Sequence, residues 1–182
     1  STAISALTEE ASSVPLDAAL IAQFFSGIES TTAATGLLTG TSIDEALGLI
    51  ELLLDESAGA SISEAAAIDA ATALQNILHA LLVDWASMTS DPADWPSNGT
   101  IPVANRGIQA RMTKVDTLVT RVGLARLPSV QCGESAIPTR PLPRDFVANS
   151  PSEYVNEKWL VRNRLFEMSS RKLCRSQVAT IE

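Results

Sequence analysis

Residues 42–88 read SIDEALGLIELLLDESAGASISEAAAIDAATALQNILHALLVDWASM, and their pattern is the clearest indication of a helical fold in this chain. It contains one start signal twice, 19 residues apart: Ser42-Ile43-Asp44-Glu45 and Ser61-Ile62-Ser63-Glu64. Each is a capping box, in which the serine hydroxyl accepts from the backbone N–H three residues on and the glutamate reaches back. Apolar residues then recur at helical spacing. The stretch therefore predicts two helices joined by a short turn at Gly59, an antiparallel hairpin.

Two further helices are predicted on either side of this hairpin. Residues 15–28 place apolar side chains close to one helical face, and the glycines and threonines that follow end the helix. Residues 107–124 form the second, with Ile108, Val115 and Val122 on its apolar face. A strand over residues 115–122 is the competing prediction, because β-branched residues are frequent there.

The last third of the chain combines prolines with basic residues. Five prolines between residues 127 and 151 favour an extended path. Ser150-Pro151-Ser152-Glu153 then provides a helix start with a cap, a proline at the first position and an acid at the third. The sequence thus predicts a mainly α protein: an acidic helical hairpin or bundle (1–90), a loop (91–105), a basic helix (106–126), a Pro-rich extended arm (127–150) and a C-terminal amphipathic basic helix (151–182).

The charge is divided between the two halves of the chain. Residues 1–100 contain 14 carboxylates and no Lys or Arg, whereas residues 101–182 hold all 13 basic residues and 7 acidic ones. The halves therefore carry −14 and +6, which sum to the net charge of −8. Asymmetry of this kind bears on partners and association rather than on fold.

No arrangement typical of catalysis, cofactor binding or metal binding is found in the sequence. The one histidine, His79, lies within a predicted helix, and Cys132 and Cys174 have no metal-ligand spacing with it. The glycine-containing loop 36–42 lacks the lysine that a phosphate loop needs. Charged residues interrupt every long apolar stretch, so no membrane span is expected. We therefore predict a non-enzymatic protein with no catalytic, cofactor-binding or metal residues, and two cysteines are too few to indicate a compartment.

The remaining candidate is a partner-binding surface on the C-terminal arm, a name used below for the Pro-rich segment together with the predicted helix that follows it (residues 127–182). Arginine suits bidentate pairing with carboxylates, and an aromatic anchor strengthens docking. The predicted function is a structural or assembly protein, a helical subunit whose basic arm docks on an acidic surface of a neighbouring subunit, most simply a copy of itself. By analogy alone, a capsid-associated role in a virion fits such a part. The predicted partner-binding residues are Arg140, Arg144, Tyr154, Trp159, Arg162, Arg164, Phe166, Arg171, Lys172 and Arg175.

Three alternatives stay open at this point. The basic half could act as a nucleic-acid-binding module, although the acidic half would repel phosphate. The chain could be a secreted helical carrier of an apolar ligand, which glycosylation at Asn98 and a Cys132–Cys174 bridge would favour. It could also be a subunit of an enzyme complex whose chemistry lies on another chain. The segment Arg140-Pro141-Leu142-Pro143 is similar to a ligand of proline-recognising domains, but a stiff connector explains it better.

Overall fold

A computed structural model describes residues 3–57, 61–88 and 106–131 of the chain. These residues form five α-helices and no strand: α1 (Ala3–Ser13), α2 (Ala18–Thr32), α3 (Gly40–Glu56), α4 (Glu64–Met88) and α5 (Arg106–Arg126). Short 3-10 turns cover Thr35–Leu37 and Leu127–Ser129. The prediction of a mainly α fold is confirmed for this part of the chain. The competing strand is wrong, because residues 115–122 lie inside α5 and bury Val115, Val119 and Val122 at helical spacing.

The five helices pack side by side as a bundle in which each helix has two main neighbours. Around the bundle the order is α1, α2, α4, α5 and α3, and α3 closes the circle against α1. The Ile62 N–H donates to the carbonyl oxygen of Ala125 at 3.2 Å, so α4 starts where α5 ends and the two are antiparallel. The Ser5 hydroxyl donates to Glu45 at 3.0 Å, which places the start of α1 beside the start of α3.

The predicted pairing of α3 with α4 in a hairpin is wrong. These helices are consecutive, but they touch only marginally: α4 packs mainly on α2 and α5, and α3 mainly on α1 and α5. The physical reason is the burial of α4. Ala66, Ala67, Ala70 and Ala73 are all at most 2% exposed, so this part of α4 is covered by other helices. Helices α2 and α5, rather than its neighbour in the chain, provide most of the contacts of α4.

Helices α3 and α4 both begin at residues other than those the sequence predicts. The N-cap of α3 is Thr39, whose hydroxyl accepts from the Ser42 N–H at 3.2 Å while the Thr39 N–H donates to Ser42 Oγ at 2.8 Å. Ser42 is therefore the third residue of the helix and not its cap. Leu38 and Ile43 hold the two positions of a hydrophobic staple, and both pack in the core, which favours the earlier start. In α4 the cap is Ser63, which accepts from the Ala66 N–H at 3.1 Å.

The N-terminal pair of helices also differs from the prediction. Helix α1 was not predicted, and only Ile4 and Ala11 of its residues are buried. Helix α2 begins after Asp17, whose carboxylate accepts from the Leu20 N–H at 2.8 Å, and it extends four residues beyond the predicted end at Ile28. The longer helix buries Thr32, whose hydroxyl donates to the Ile28 carbonyl at 2.8 Å.

The core runs along the axis of the bundle and is built from aliphatic residues. Helix α3 contributes the most large side chains that are less than 2% exposed, and α2 adds Phe25 and Ile28. The first residues of the predicted Pro-rich arm are described, and Leu127–Ser129 form a short 3-10 turn rather than an extended segment. The rest of that arm (132–150), the predicted C-terminal helix over residues 151–182, the loop at Asn98 and both cysteines lie outside the described residues. Buried residues of α5 belong to this core, which explains the position of α5 in the bundle.

Candidate functional site

The main polar feature of the bundle is a line of ion pairs between acidic α3 and basic α5. At its start, Arg111 binds Asp44 with both ends of its guanidinium group. The Nε donates to Oδ1 at 2.8 Å and Nη2 donates to Oδ2 at 2.7 Å. This bidentate geometry is the strongest form of arginine–carboxylate pairing. Asp44 is the fifth residue of α3, so this pair fixes the register of α5 near the start of α3.

Two further carboxylates of α3 continue the line. Lys114 Nζ lies 2.8 Å from Glu51 Oε2, and Arg121 Nη1 lies 3.8 Å from Glu51 Oε1. Arg121 also donates to Asp55 through Nη2. We call this set of six residues (Asp44, Glu51, Asp55, Arg111, Lys114, Arg121) the charge seam. Since Glu51 contacts two cations, Glu51, Asp55, Lys114 and Arg121 form one connected cluster.

The spacing of these residues in the sequence explains why they meet. The acids at 44, 51 and 55 are separated by seven and four residues, and the bases at 111, 114 and 121 by three and seven, so each set lies along one face of its helix. Residue numbers rise together along the seam, so α3 and α5 are parallel. A different face of α5 carries Ile108, Val115 and Val119 into the core. The apolar face holds α5 in place, and the seam sets its direction and register.

The electrostatics of the seam are those of a partly exposed interface. The hydrogen bond from Arg111 lowers the pKa of Asp44, although burial acts in the opposite direction. The same hydrogen bond raises the pKa of Arg111. The Arg111 side chain is 29% exposed and that of Asp44 is 56% exposed. Exposed ion pairs contribute about 0–1 kcal/mol each, so the seam provides specificity more than stability.

The far end of α5 is tied to α4 rather than to α3. The Arg126 side chain is only 6% exposed, and its Nη2 lies 3.5 Å from Oε2 of Glu64, the first residue of α4. The backbone bond between Ile62 and Ala125 lies beside this pair. Four of the five cations of α5 thus face carboxylates from the acidic half. A phosphate backbone would have to displace those carboxylates, which argues against α5 as a nucleic-acid-binding surface.

The partner-binding residues predicted from the sequence all lie outside the described residues, since the first of them is Arg140. What the sequence analysis missed is the contact between α3 and α5. The spacing of charges within each helix, which places them on one face, could be read from the sequence. Which acid pairs with which base could not, because partners such as Asp44 and Arg111 lie 66 or 67 residues apart. The six seam residues are therefore added as candidate functional residues by the structure.

Other features of the described residues offer less chemistry. Burial lowers the pKa of His79 on α4. Within residues 3–57, 61–88 and 106–131, no group of three or more His, Cys, Asp or Glu side chains is placed to hold a metal ion. A cleft of about 80 Å³ opens between the start of α2 and the start of α4, lined by apolar residues such as Leu16 and Ile62 and by Glu56 and three serines. Ligand pockets usually have about 300 Å³ or more, so this cleft does not suit an apolar cargo.

One stretch of α4, Glu64–Asp84, is long and apolar enough to cross a membrane by length and composition alone. In the bundle 61% of it is buried against other helices, and a core helix passes the same test. Comparisons with family models, with curated proteins and with solved structures found no match to this chain.

Proposed function

We propose that this chain is a non-enzymatic assembly subunit whose basic C-terminal segment docks on an acidic surface of a neighbouring copy. The observation that carries the proposal is the charge seam. In the seam, the Arg and Lys side chains of the basic helix α5 bind carboxylates of the acidic helix α3 in the same chain. The C-terminal segment has the same kind of side chains and would meet the same kind of surface.

The distribution of charge outside the seam supports this reading. The described residues hold 13 acidic and 5 basic side chains, which leaves the bundle at −8 even with α5 in place. Residues 132–182 hold 8 basic and 6 acidic side chains, a net +2. Exposed carboxylates such as Glu9, Glu10 and Glu56 remain on the bundle surface. A neighbouring copy therefore offers a complementary, negatively charged surface to the arm.

The central experiment removes charge from the arm and measures the mass of the native particle. The full chain and the triple variant Arg162→Gln/Arg164→Gln/Arg171→Gln are compared by sedimentation velocity at low and at physiological salt. We expect the variant to form smaller particles than the wild type, because Arg–carboxylate pairs across the interface are lost. Trp159→Ala should weaken assembly as well, since truncating a buried aromatic anchor typically costs about 2 kcal/mol or more.

Two controls separate docking from folding. Arg106→Gln removes a positive charge from α5 and leaves the arm intact, so its particle mass should equal that of the wild type. Deletion of residues 150–182 should abolish the higher assembly while the helical circular-dichroism signal of the bundle persists. A wild-type chain that is monomeric at physiological salt, or an arm variant with unchanged mass, contradicts the proposal.

The second candidate, a nucleic-acid-binding module, is tested with the same preparations. Phosphate contacts make binding fall steeply with salt. Binding of RNA or DNA at low salt that disappears at physiological salt in the wild type, and is reduced in the arm variant, would favour this alternative. Failure to bind either nucleic acid at low salt would eliminate it.

A further inference from the structure

The cleft between the start of α2 and the start of α4 has the size and lining of a docking site for one side chain. Its volume is about 80 Å³. Ile21, Ile62 and Ala66 line it and are at most 5% exposed, so the cleft opens directly onto the core. A cavity of about 150 Å³ lined by apolar side chains holds one benzene molecule. This cleft therefore accepts part of one apolar or aromatic side chain rather than a whole ligand.

The rim of the cleft is negatively charged. Glu56, the last residue of α3, lines the cleft and is exposed. Asp17 lies between Leu16 and Ala18, which both line the cleft, and its carboxylate caps α2. Neither acid has an ion pair to a described cation within 4.0 Å. A segment with an aromatic side chain and neighbouring arginines would complement both the apolar lining and the acidic rim.

The C-terminal arm begins beside this cleft and contains such a segment. The Ile62 N–H donates to the carbonyl oxygen of Ala125 at 3.2 Å, which places the end of α5 next to a residue of the cleft. The arm starts two residues after Ala125. Within the arm, Arg162 and Arg164 follow Trp159 three and five positions later in the sequence. The position of the cleft and the charge of the arm thus point to the same occupant.

We propose that this cleft is the surface that receives the C-terminal arm, with an edge of the Trp159 ring against its apolar residues and the arginines that follow at its acidic rim. The inference rests on the proposed function for the role of the arm, and it adds the site at which the arm docks. An aromatic anchor in a desolvated pocket, surrounded by polar contacts that exclude water, is the common arrangement of an interface hot spot.

Photo-crosslinking of the full chain locates the docking site directly. Trp159 is replaced by the photoreactive residue p-benzoylphenylalanine, and the crosslinked residues are identified by mass spectrometry. The digestion uses a protease that cleaves at acidic residues, because residues 1–100 contain no Lys or Arg. We expect the crosslinks to cluster at residues 16–21 and 56–66. Crosslinks confined to other parts of the bundle would overturn the inference.

Two substitutions at the cleft test the same inference without a crosslinker. Glu56→Lys reverses the charge of the rim, and Ser61→Trp fills the cleft from its edge. Both residues are exposed, so the helical circular-dichroism signal should equal that of the wild type. Each variant should weaken self-association about tenfold in sedimentation velocity, the first because a repulsion replaces an attraction between exposed charges.

Glu10→Lys is the matched control, because it makes the same change of charge at an exposed carboxylate of α1 that does not line the cleft. Its self-association should equal that of the wild type. An equal loss in Glu10→Lys, or wild-type association in both Glu56→Lys and Ser61→Trp, contradicts docking at the cleft.

This inference and the proposed function fail separately. The crosslinking is repeated with a mixture of 15N-labelled and unlabelled chains, in which a crosslink between copies joins a labelled peptide to an unlabelled one. Crosslinks at the cleft that occur only within one chain support the cleft and refute docking on a neighbouring copy. Crosslinks between copies that avoid the cleft support docking on a neighbour and refute the cleft.

Discussion

The pair of Asp44 and Arg111 allows the strength of the charge seam to be measured directly. Asp44→Asn removes the negative charge and retains the shape of the side chain. Arg111→Met removes the guanidinium group, which lies against Gly40, and retains most of the apolar stem. With the double variant, these form a cycle that isolates the coupling between the two side chains.

The magnitude follows from the geometry and the exposure of the pair. Two unit charges 4 Å apart attract by about 1 kcal/mol in water and by about 4 kcal/mol at an effective dielectric constant of 20. With the side chains 29% and 56% exposed, the pair lies closer to the aqueous limit. Ordering two side chains reduces the gain further. We therefore expect a coupling of about 0.5–1 kcal/mol, the upper part of the range for exposed pairs, because the contact is bidentate.

The assay is urea unfolding of the four proteins at one protein concentration, followed by far-UV circular dichroism. At 1 M salt the Debye length falls to about 3 Å, so the coupling should drop to about half or less. The pH dependence has a defined sign. Because Arg111 lowers the pKa of Asp44 in the folded state, this stabilisation is complete above the ordinary value of 3.8 and is lost as the pH falls below it.

Glu10→Gln is the matched control, since Glu10 is an exposed carboxylate on α1 with no ion pair to a described cation within 4.0 Å. It should change the free energy of unfolding by less than about 0.5 kcal/mol. A coupling of zero at low salt, or one that is the same at low and high salt, would refute the assignment of an electrostatic role to the seam.

Three further predictions concern the bundle. Burial lowers the pKa of His79 from 6.5, so the unfolded chain binds the proton first as the pH falls. Stability should therefore decrease below pH 6.5, and should decrease less in His79→Gln, as measured by urea unfolding at pH 5 and pH 8. Gly48→Ala should stabilise α3 by about 0.5–1 kcal/mol, because an added Cβ meets nothing within 4 Å. In thermal unfolding, Gly27→Ala should gain less stability, because Leu7 Cδ1 would lie 3.3 Å from the added Cβ. Ile50→Ala should lower the free energy of unfolding by about 2–5 kcal/mol in urea, because Ile50 is 0% exposed. An equal loss of stability in Val83→Ala, whose side chain is 57% exposed, would contradict the packing described.

The sequence predicted helices best where apolar periodicity is strong. The regions of α2, α3, α4 and α5 were found from that pattern, whereas α1 was missed because it buries only Ile4 and Ala11 and is rich in serine and threonine. Serine and threonine compete for backbone hydrogen bonds and weaken the helical signal. The start of α3 was misplaced because Thr39 and Ser42 both have the chemistry of a cap. Packing of Leu38, which periodicity does not show, decided between them.

The candidate site was harder to predict than the helices. The division of charge between the two halves indicated that basic residues of the second half would meet some of the 14 carboxylates of the first, but the sequence analysis assigned this role to the C-terminal arm and not to α5. Which carboxylates would serve depended on α3 presenting Asp44, Glu51 and Asp55 to α5, and on Glu64 at the start of α4 meeting Arg126. That arrangement depends on how the five helices pack around the bundle. Local sequence carries no information on it.

The four buried alanines of α4, Ala66, Ala67, Ala70 and Ala73, place a size limit on this part of the protein. Each is at most 2% exposed, so an extra carbon at any of them must be accommodated by shifts of its neighbours, typically at a cost of about 1–3 kcal/mol. Conventional hydrophobicity is a poor guide to tolerance here, since valine or leucine at Ala67 or Ala70 would be more apolar and yet harmful. A saturation library across residues 66–73 should therefore sort by volume, with a sharp threshold just above alanine, while the outward-facing positions of the same helix accept larger side chains.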